Sequence, residues 1–302
     1  MFIGEAYSYT LRYFLKKTFP IWQKLGFHIT PNHFYEPIPD TRELKDELWT
    51  RHSDLVGIEI NEERQINLLT LFSSKFKDEY ETFPRFKTSI PHQYYVNNGS
   101  FGPVDGEILY CMIRHFKPKR IFEVGSGYST YLMAQAILKN KEEGNECELT
   151  VIDPYPNKTV ATGFPGLSRL IRTKVQDVPL SKFNELEEND ILFIDSTHVL
   201  KIGSDVQYLY LEVLPRLNRG VIVHVHDIFL PAEYPKKWVL KEYRFWTEQY
   251  ILQAFLTFNS CFEVLWMASY MHLKHPEKLE EAFSSYDRES NWPGSFWMRR
   301  KM

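Results

Sequence analysis

Glu123-Val-Gly-Ser-Gly-Tyr-Ser-Thr130 follows directly on the apolar pair Ile121-Phe122, so an acid and two glycines stand where a strand turns into a helix. At Gly125 and Gly127, with Ser126 between them, a flat or phosphorylated ligand can approach the main chain more closely than any Cβ permits. Tyr128, Ser129 and Thr130 come next, so the third small residue of a pyrophosphate fingerprint is missing. The carboxylate of Glu123 repels phosphate and attracts an ammonium or, through water, a cationic ligand. A nucleoside carrying positive charge, S-adenosylmethionine (SAM), fits that pattern better than a dinucleotide.

A second acid, Asp153, closes the β-branched run 149–153, 26 residues after Gly127. A carboxylate at the tip of the second strand can accept hydrogen bonds from ribose hydroxyls, and a turn before Pro154 is its other use. The segment 170–175 reads as a third strand, and Asp177 just beyond it can face the adenine edge. Asp195 and His198 follow one apolar run, and His224, His226 and Asp227 end another. His226 or His198 can act as a general base toward an acceptor, with Asp227 or Asp195 orienting an imidazole or the SAM ammonium. His224, inside its run, reads as a hydrogen-bonded core histidine.

The elements that must hold these residues are legible from periodicity. Runs 190–195 and 220–227 are apolar runs that end in polar residues, as parallel strands buried on both faces and carrying a site at their tips require. Between them, residues 201–217 place Val206, Leu209, Tyr210, Val213, Leu214 and Leu217 at helical spacing. Residues 262–269 and 294–299 read as a terminal antiparallel pair. Residues 61–76 and 105–116 read as helices.

Together, Glu123–Thr130, Asp153-Pro-Tyr-Pro156, Phe193-Ile-Asp-Ser-Thr-His198, His224-Val-His-Asp-Ile228 and Pro293-Gly-Ser-Phe-Trp297 resemble the class I SAM-dependent methyltransferases, and more narrowly the methyltransferase-24 family, over about two thirds of the chain. The resemblance implies an α/β, Rossmann-like sheet of seven strands, one of them antiparallel. It also implies SAM at the carboxyl ends of the first strands, an acceptor pocket above the fourth and fifth, and Ser129 as a partner of the SAM carboxylate or a helix cap. A looser similarity to metal-dependent catechol-type and sugar O-methyltransferases implies a divalent ion on Asp195, His226 and Asp227. A histidine in that set suits Mn, Fe or Zn better than Mg.

Residues 1–98 are expected to form an N-terminal helical, aromatic cap and residues 99–302 the SAM-binding domain. Within the cap, residues 9–25 mix apolar with basic residues, compatible with a helix lying in a membrane interface, although packing on the core or on a second subunit of a homo-oligomer is the preferred reading. Residues 94–101 lead into the 105–116 helix and are expected to close over the cofactor. The 302 residues carry a net charge of −3, and the basic residues are scattered, which argues against a nucleic-acid partner. Three cysteines without metal spacing suit a reducing, cytoplasmic setting. No integral membrane segment is expected. Tyr94, Tyr95, Phe229, Tyr234, Trp238, Phe245 and Trp246 crowd the pocket in sequence, so a carbohydrate or small-molecule hydroxyl, or an amine, is the expected acceptor. Two other functions remain: a metallohydrolase using His224, His226 and Asp227, and a subunit that binds SAM without turnover.

Overall fold

Strands that are apolar along their whole length must be covered on both faces, and the chain meets that demand with one seven-stranded sheet flanked by helices. The computed structural model describes residues 5–302, with side chains from Leu11 onward. The strands are β1 (Arg120–Val124), β2 (Glu148–Ile152), β3 (Arg169–Ile171), β4 (Ile191–Ile194), β5 (Ile222–Val225), β6 (Phe262–Met267) and β7 (Phe296–Arg300). Their order is β3-β2-β1-β4-β5-β7-β6, with β7 antiparallel to both neighbours. This is the class I arrangement that the resemblance implies. The order reverses between β1 and β4, and a crevice opens at the carboxyl ends of the strands at such a switch point.

The chain divides into two compact units. One comprises residues 51–235 and 246–302 and holds the sheet. Its helices are numbered after two in the other unit, α1 (Glu5–Lys24) and α2 (Glu47–Thr50). In chain order they are α3 (Glu62–Tyr80), α4 (Asp105–Phe116), α5 (Tyr128–Glu142), α6 (Lys158–Thr162), α7 (Leu180–Phe183) and α8 (Asp205–Tyr208). Past α9 (Lys236–Leu240) of the other unit come α10 (Glu248–Leu256), α11 (Ala268–Lys274) and α12 (Pro276–Ala282). Helix α3 belongs with the sheet: Leu69, Phe72, Phe76 and Tyr80 are buried, and Gln65 accepts from Met267 N at 2.8 Å. Arg114 of α4 reaches Glu79 of α3 at 2.8 Å and also pairs with Glu143 beyond α5, pinning the three helices together.

Two elements differ from the sequence expectation. The third strand is only Arg169–Ile171, because it pairs with the last three residues of β2 and has no further partner. Val175–Asp177 is instead a 3-10 turn, which leaves Asp177 on an exposed turn rather than at a strand tip. The 201–217 segment starts at Asp205, where the Ser204 side chain caps Gln207 N. After one α-turn it widens at Leu209–Val213 and tightens at Leu214–Arg216, around Pro215, which has no N–H to continue the ladder.

Candidate active site

The carboxyl end of β1 is joined to its neighbours by backbone bonds that set the register of the site. Gly125 N donates to Ile152 O of β2 at 3.1 Å, and Asp195 N donates to Val124 O at 3.0 Å. The two glycines then do different work. Gly125 has φ +89°, and a Cβ there would lie 2.3 Å from the Asp195 carbonyl oxygen, so glycine is required for β1 and β4 to approach. The expectation that Gly125 is bare for a ligand is corrected by this contact. Gly127 is extended at φ 175°, and a Cβ on it would meet nothing within 4 Å. Open space therefore begins at Gly127.

Around that loop the acids are already oriented. Ser126 Oγ donates to one oxygen of Asp153, while Tyr155 N donates to the other at 2.7 Å, so Asp153 both forms a turn and faces the glycine loop. Glu123 is fully buried and accepts from Ser129 Oγ at 2.6 Å, but its second oxygen has no partner. Burial pushes its pKa up to about 8, against the Ser129 and Thr130 hydrogen bonds that favour the carboxylate. A buried carboxyl with an orphan oxygen beside an open glycine is a fitting receptor for a cationic ligand group.

At the ends of β4 and β5 a second cluster assembles. His198 Nε2 lies 3.3 Å from Asp195 Oδ1 and 3.6 Å from Asp227 Oδ2, and its Nδ1 lies 2.8 Å from the buried carboxylate of Glu248. His198 and Asp227 both take left-handed backbone angles, φ +60° and +57°, which His and Asp tolerate better than most residues. Thr247 N and Glu248 N, opening α10, clamp the His198 carbonyl at 2.9 and 3.1 Å. Desolvation would lower the His198 pKa, but the hydrogen bonds to Asp195 and Glu248 outweigh it and hold the ring well above 6.5. For Asp195 desolvation would raise the pKa, and the His198 hydrogen bond with the His226 charge brings it below the usual value instead.

His226 is buried, its Nε2 3.6 Å from Asp227 Oδ1 and 3.4 Å from Ser100 O, and its Nδ1 has no partner. Desolvation opposes its charge, yet Asp227, Asp195 and Asp105 together raise its pKa. Residues 94–101 do reach the site: Phe101 lies 4.9 Å from the His226 ring, and Tyr95 Oη bonds Tyr128 Oη of α5 at 2.9 Å. Asp105 accepts from Gly294 N and Ser295 N, both at 2.9 Å, and Gly294 backs the Asp227 turn by accepting from Ile228 N. The closing Pro293–Trp297 motif is thereby explained as a brace behind β5.

His224 is a core residue, as its run suggests. It stacks on Phe193 at 3.8 Å, bonds Ser295 Oγ at 3.1 Å, and burial holds its pKa well below 6.5. Among the described residues no group of three or more His, Cys, Asp or Glu side chains is arranged to hold a metal ion. The reason is visible at the expected set Asp195, His226 and Asp227: the His198 imidazole takes the space between the two carboxylates. As they stand, these donors do not fit a divalent ion.

A methyltransferase-domain family model matches residues 122–228. An uncharacterised protein of Archaeoglobus fulgidus is 34% identical over 176 residues, which span 56% of this chain and 78% of that protein. The chain belongs to this methyltransferase family. The enzyme is SAM-dependent. The methyltransferase is also similar to the solved plantazolicin methyltransferase BamL (14% identity, 80% and 97% of the two chains, TM-score 0.41) and to an O-methyltransferase of Bacillus cereus (11%, 95% and 100%, TM-score 0.37).

Glu248 of the methyltransferase escaped sequence reading, although its signal was present: with Leu252 and Leu256 it forms an i, i+4, i+8 stripe, so an acid occupies a core position of α10. Asp105 escaped for the same reason, being read only as a helix start. Of the aromatic residues, Trp246 contacts His198 at 4.3 Å and Tyr234 packs on Trp246 at 6.1 Å. Tyr94 is fully buried, and Trp238 and Phe245 belong to the other compact unit.

Proposed function

We propose that this methyltransferase moves a methyl group to a hydroxyl or amine of a small-molecule or carbohydrate acceptor at the carboxyl ends of β4 and β5. The observation that carries the reading is the juxtaposition of His226 and Asp227, a base with a carboxylate beside it, one strand from the Asp195 and Gly125 contact. SAM would supply a methyl on a sulfonium, the acceptor oxygen or nitrogen bonding to the methyl carbon in line as the carbon–sulfur bond breaks and neutral S-adenosylhomocysteine leaves.

The glycine loop, Glu123, Ser126, Gly127 and Ser129 would hold the amino-acid end of the cofactor, Asp153 the ribose and Asp177 the adenine edge. The orphan oxygen of Glu123 would meet the ammonium, which lowers the carboxyl pKa and recovers the cost of burying it. Alignment supplies most of the rate, up to about 7–11 kcal/mol for well-oriented partners. The remaining task is proton removal, worth roughly 10²–10⁴-fold. His226 suits it because Asp227, Asp195 and Asp105 outweigh its desolvation and hold its pKa above the ordinary value. His198, locked by Glu248 and sharing its Nε2 between Asp195 and Asp227, serves as a fixed cation that keeps those carboxylates in place.

A divalent ion on Asp195, His226 and Asp227 is the second reading, and it requires His198 to swing out from between the carboxylates. No step here depends on it. Family membership sets the hydrolase reading aside, consistent with His224 being spent on Phe193 and Ser295. The test is a pair of variants, His226→Ala and Asp227→Ala, assayed for S-adenosylhomocysteine (SAH) release over a panel of hydroxyl and amine acceptors and titrated calorimetrically with SAH. Turnover is expected to fall by roughly 10²-fold or more with little change in SAH affinity. Full turnover in both would overturn the assignment.

A further inference from the structure

The other compact unit, residues 1–50 with 236–245, carries an exposed apolar surface on α1 and the segment after it. At 100° per residue, Leu11, Phe14, Leu15, Thr18, Phe19, Ile21 and Trp22 share one face of α1, and Arg12, Lys16, Lys17 and Lys24 the other. Core packing would bury that apolar face, but Leu11 and Phe14 are about half exposed and Ile21 is 57% exposed. The exposed apolar residues continue past the helix end through Leu25 and Phe27 to Phe34 and Tyr35, exposed by 82% and 79%. A cavity of about 570 Å³ lies between α1 and this segment, with Leu15, Phe19 and Ile29 in its wall and Arg12, Lys16 and Glu36 beside them.

We propose that residues 11–38 dock on an anionic lipid surface, α1 lying in the plane of the interface. Charge selects this occupant. Residues 11–38 carry four Lys or Arg residues and a single acid, Glu36, so the segment is net positive and a second copy of the same face would set mainly cation against cation. Anionic headgroups meet the basic face while the hydrocarbon edge accepts Phe14, Ile21 and Phe34, the division of labour of interfacial helices. No described helix is long and apolar enough to cross a membrane, and the four cations on α1 keep this one at the surface.

The full-length protein is sedimented with phosphatidylcholine vesicles with and without phosphatidylserine, across a range of salt. Binding is expected only with phosphatidylserine, weakening as salt rises. The double variant Lys16→Glu/Lys17→Glu reverses two charges and is expected to weaken binding by at least about tenfold. Phe34→Ser/Tyr35→Ser, at positions too exposed to disturb folding, should weaken it as well, and both variants should keep wild-type SAH affinity. Equal binding to both vesicle types, or none to either, overturns the proposal. So does self-association in solution that these substitutions abolish, which reassigns the face to a second copy. Binding to soluble polyglutamate that ignores Phe34 and Tyr35 overturns it in favour of an acidic polymer.

Discussion

Substituting the two loop glycines separately tests whether one supports the fold and the other faces the cofactor. In Gly125→Ala the new Cβ lies 2.3 Å from the Asp195 carbonyl oxygen on a backbone with φ +89°. Left-handed backbone costs an L-residue about 1–2 kcal/mol. Overpacking against a backbone atom adds about 1–3 kcal/mol, for a total of roughly 2–5 kcal/mol. For a unit of this size each kcal/mol moves the melting temperature by about 2–4 °C, so Gly125→Ala should melt roughly 4–20 °C lower. Gly127→Val adds its side chain to an extended residue with nothing within 4 Å, so stability should change by no more than about 0.5 kcal/mol. If the cofactor lies against this residue, valine displaces it, and the SAH dissociation constant should rise at least about tenfold, equivalent to 1.4 kcal/mol. Calorimetric melts and SAH titrations read both quantities. A Gly125→Ala protein that melts like wild type, or a folded Gly127→Val protein with undiminished SAH affinity, refutes the division of labour.

If His226 is the base, its imidazolium form cannot accept a proton, so turnover should fall as pH drops through its raised pKa. The acid limb of kcat should then lie above pH 6.5, and a limb at or below 6.5 assigns the base elsewhere. Excess chelator should leave turnover unchanged; a loss that manganese restores would reinstate the ion on Asp195, His226 and Asp227. Glu123 titrates near 8 in the fold against an ordinary 4.5, so the folded state binds the extra proton between those values. Its contribution to stability therefore falls as pH rises from about 4.5 to about 8, and Glu123→Gln should remove that slope in denaturant unfolding without SAH. A slope identical to wild type would contradict the burial of a proton-bearing carboxyl at this position.

Much of this molecule was written in local pattern. Apolar runs announced the parallel strands β4 and β5, because a strand covered on both faces shows no regular alternation of polar and apolar side chains. The Gly125–Gly127 loop, Asp153 at a strand tip and the polar ends of β4 and β5 were legible because each lies within a few residues of its own element. The third strand is shorter than its pattern suggests because the length of an edge strand depends on its neighbour, and β2 ends at Ile152.

Tertiary structure alone settled the contacts between segments distant in the chain. Glu248 meets His198 across 50 residues and Asp105 meets Ser295 across 190, distances over which no periodicity carries a signal. It likewise separated the two glycines, since the Asp195 carbonyl that forbids a Cβ at Gly125 arrives from another strand. It also filled the gap between Asp195 and Asp227 with His198. Residue types and short spacings determined which chemistry was available, and the packing of β4, β5 and α10 determined which groups were brought within reach of one another.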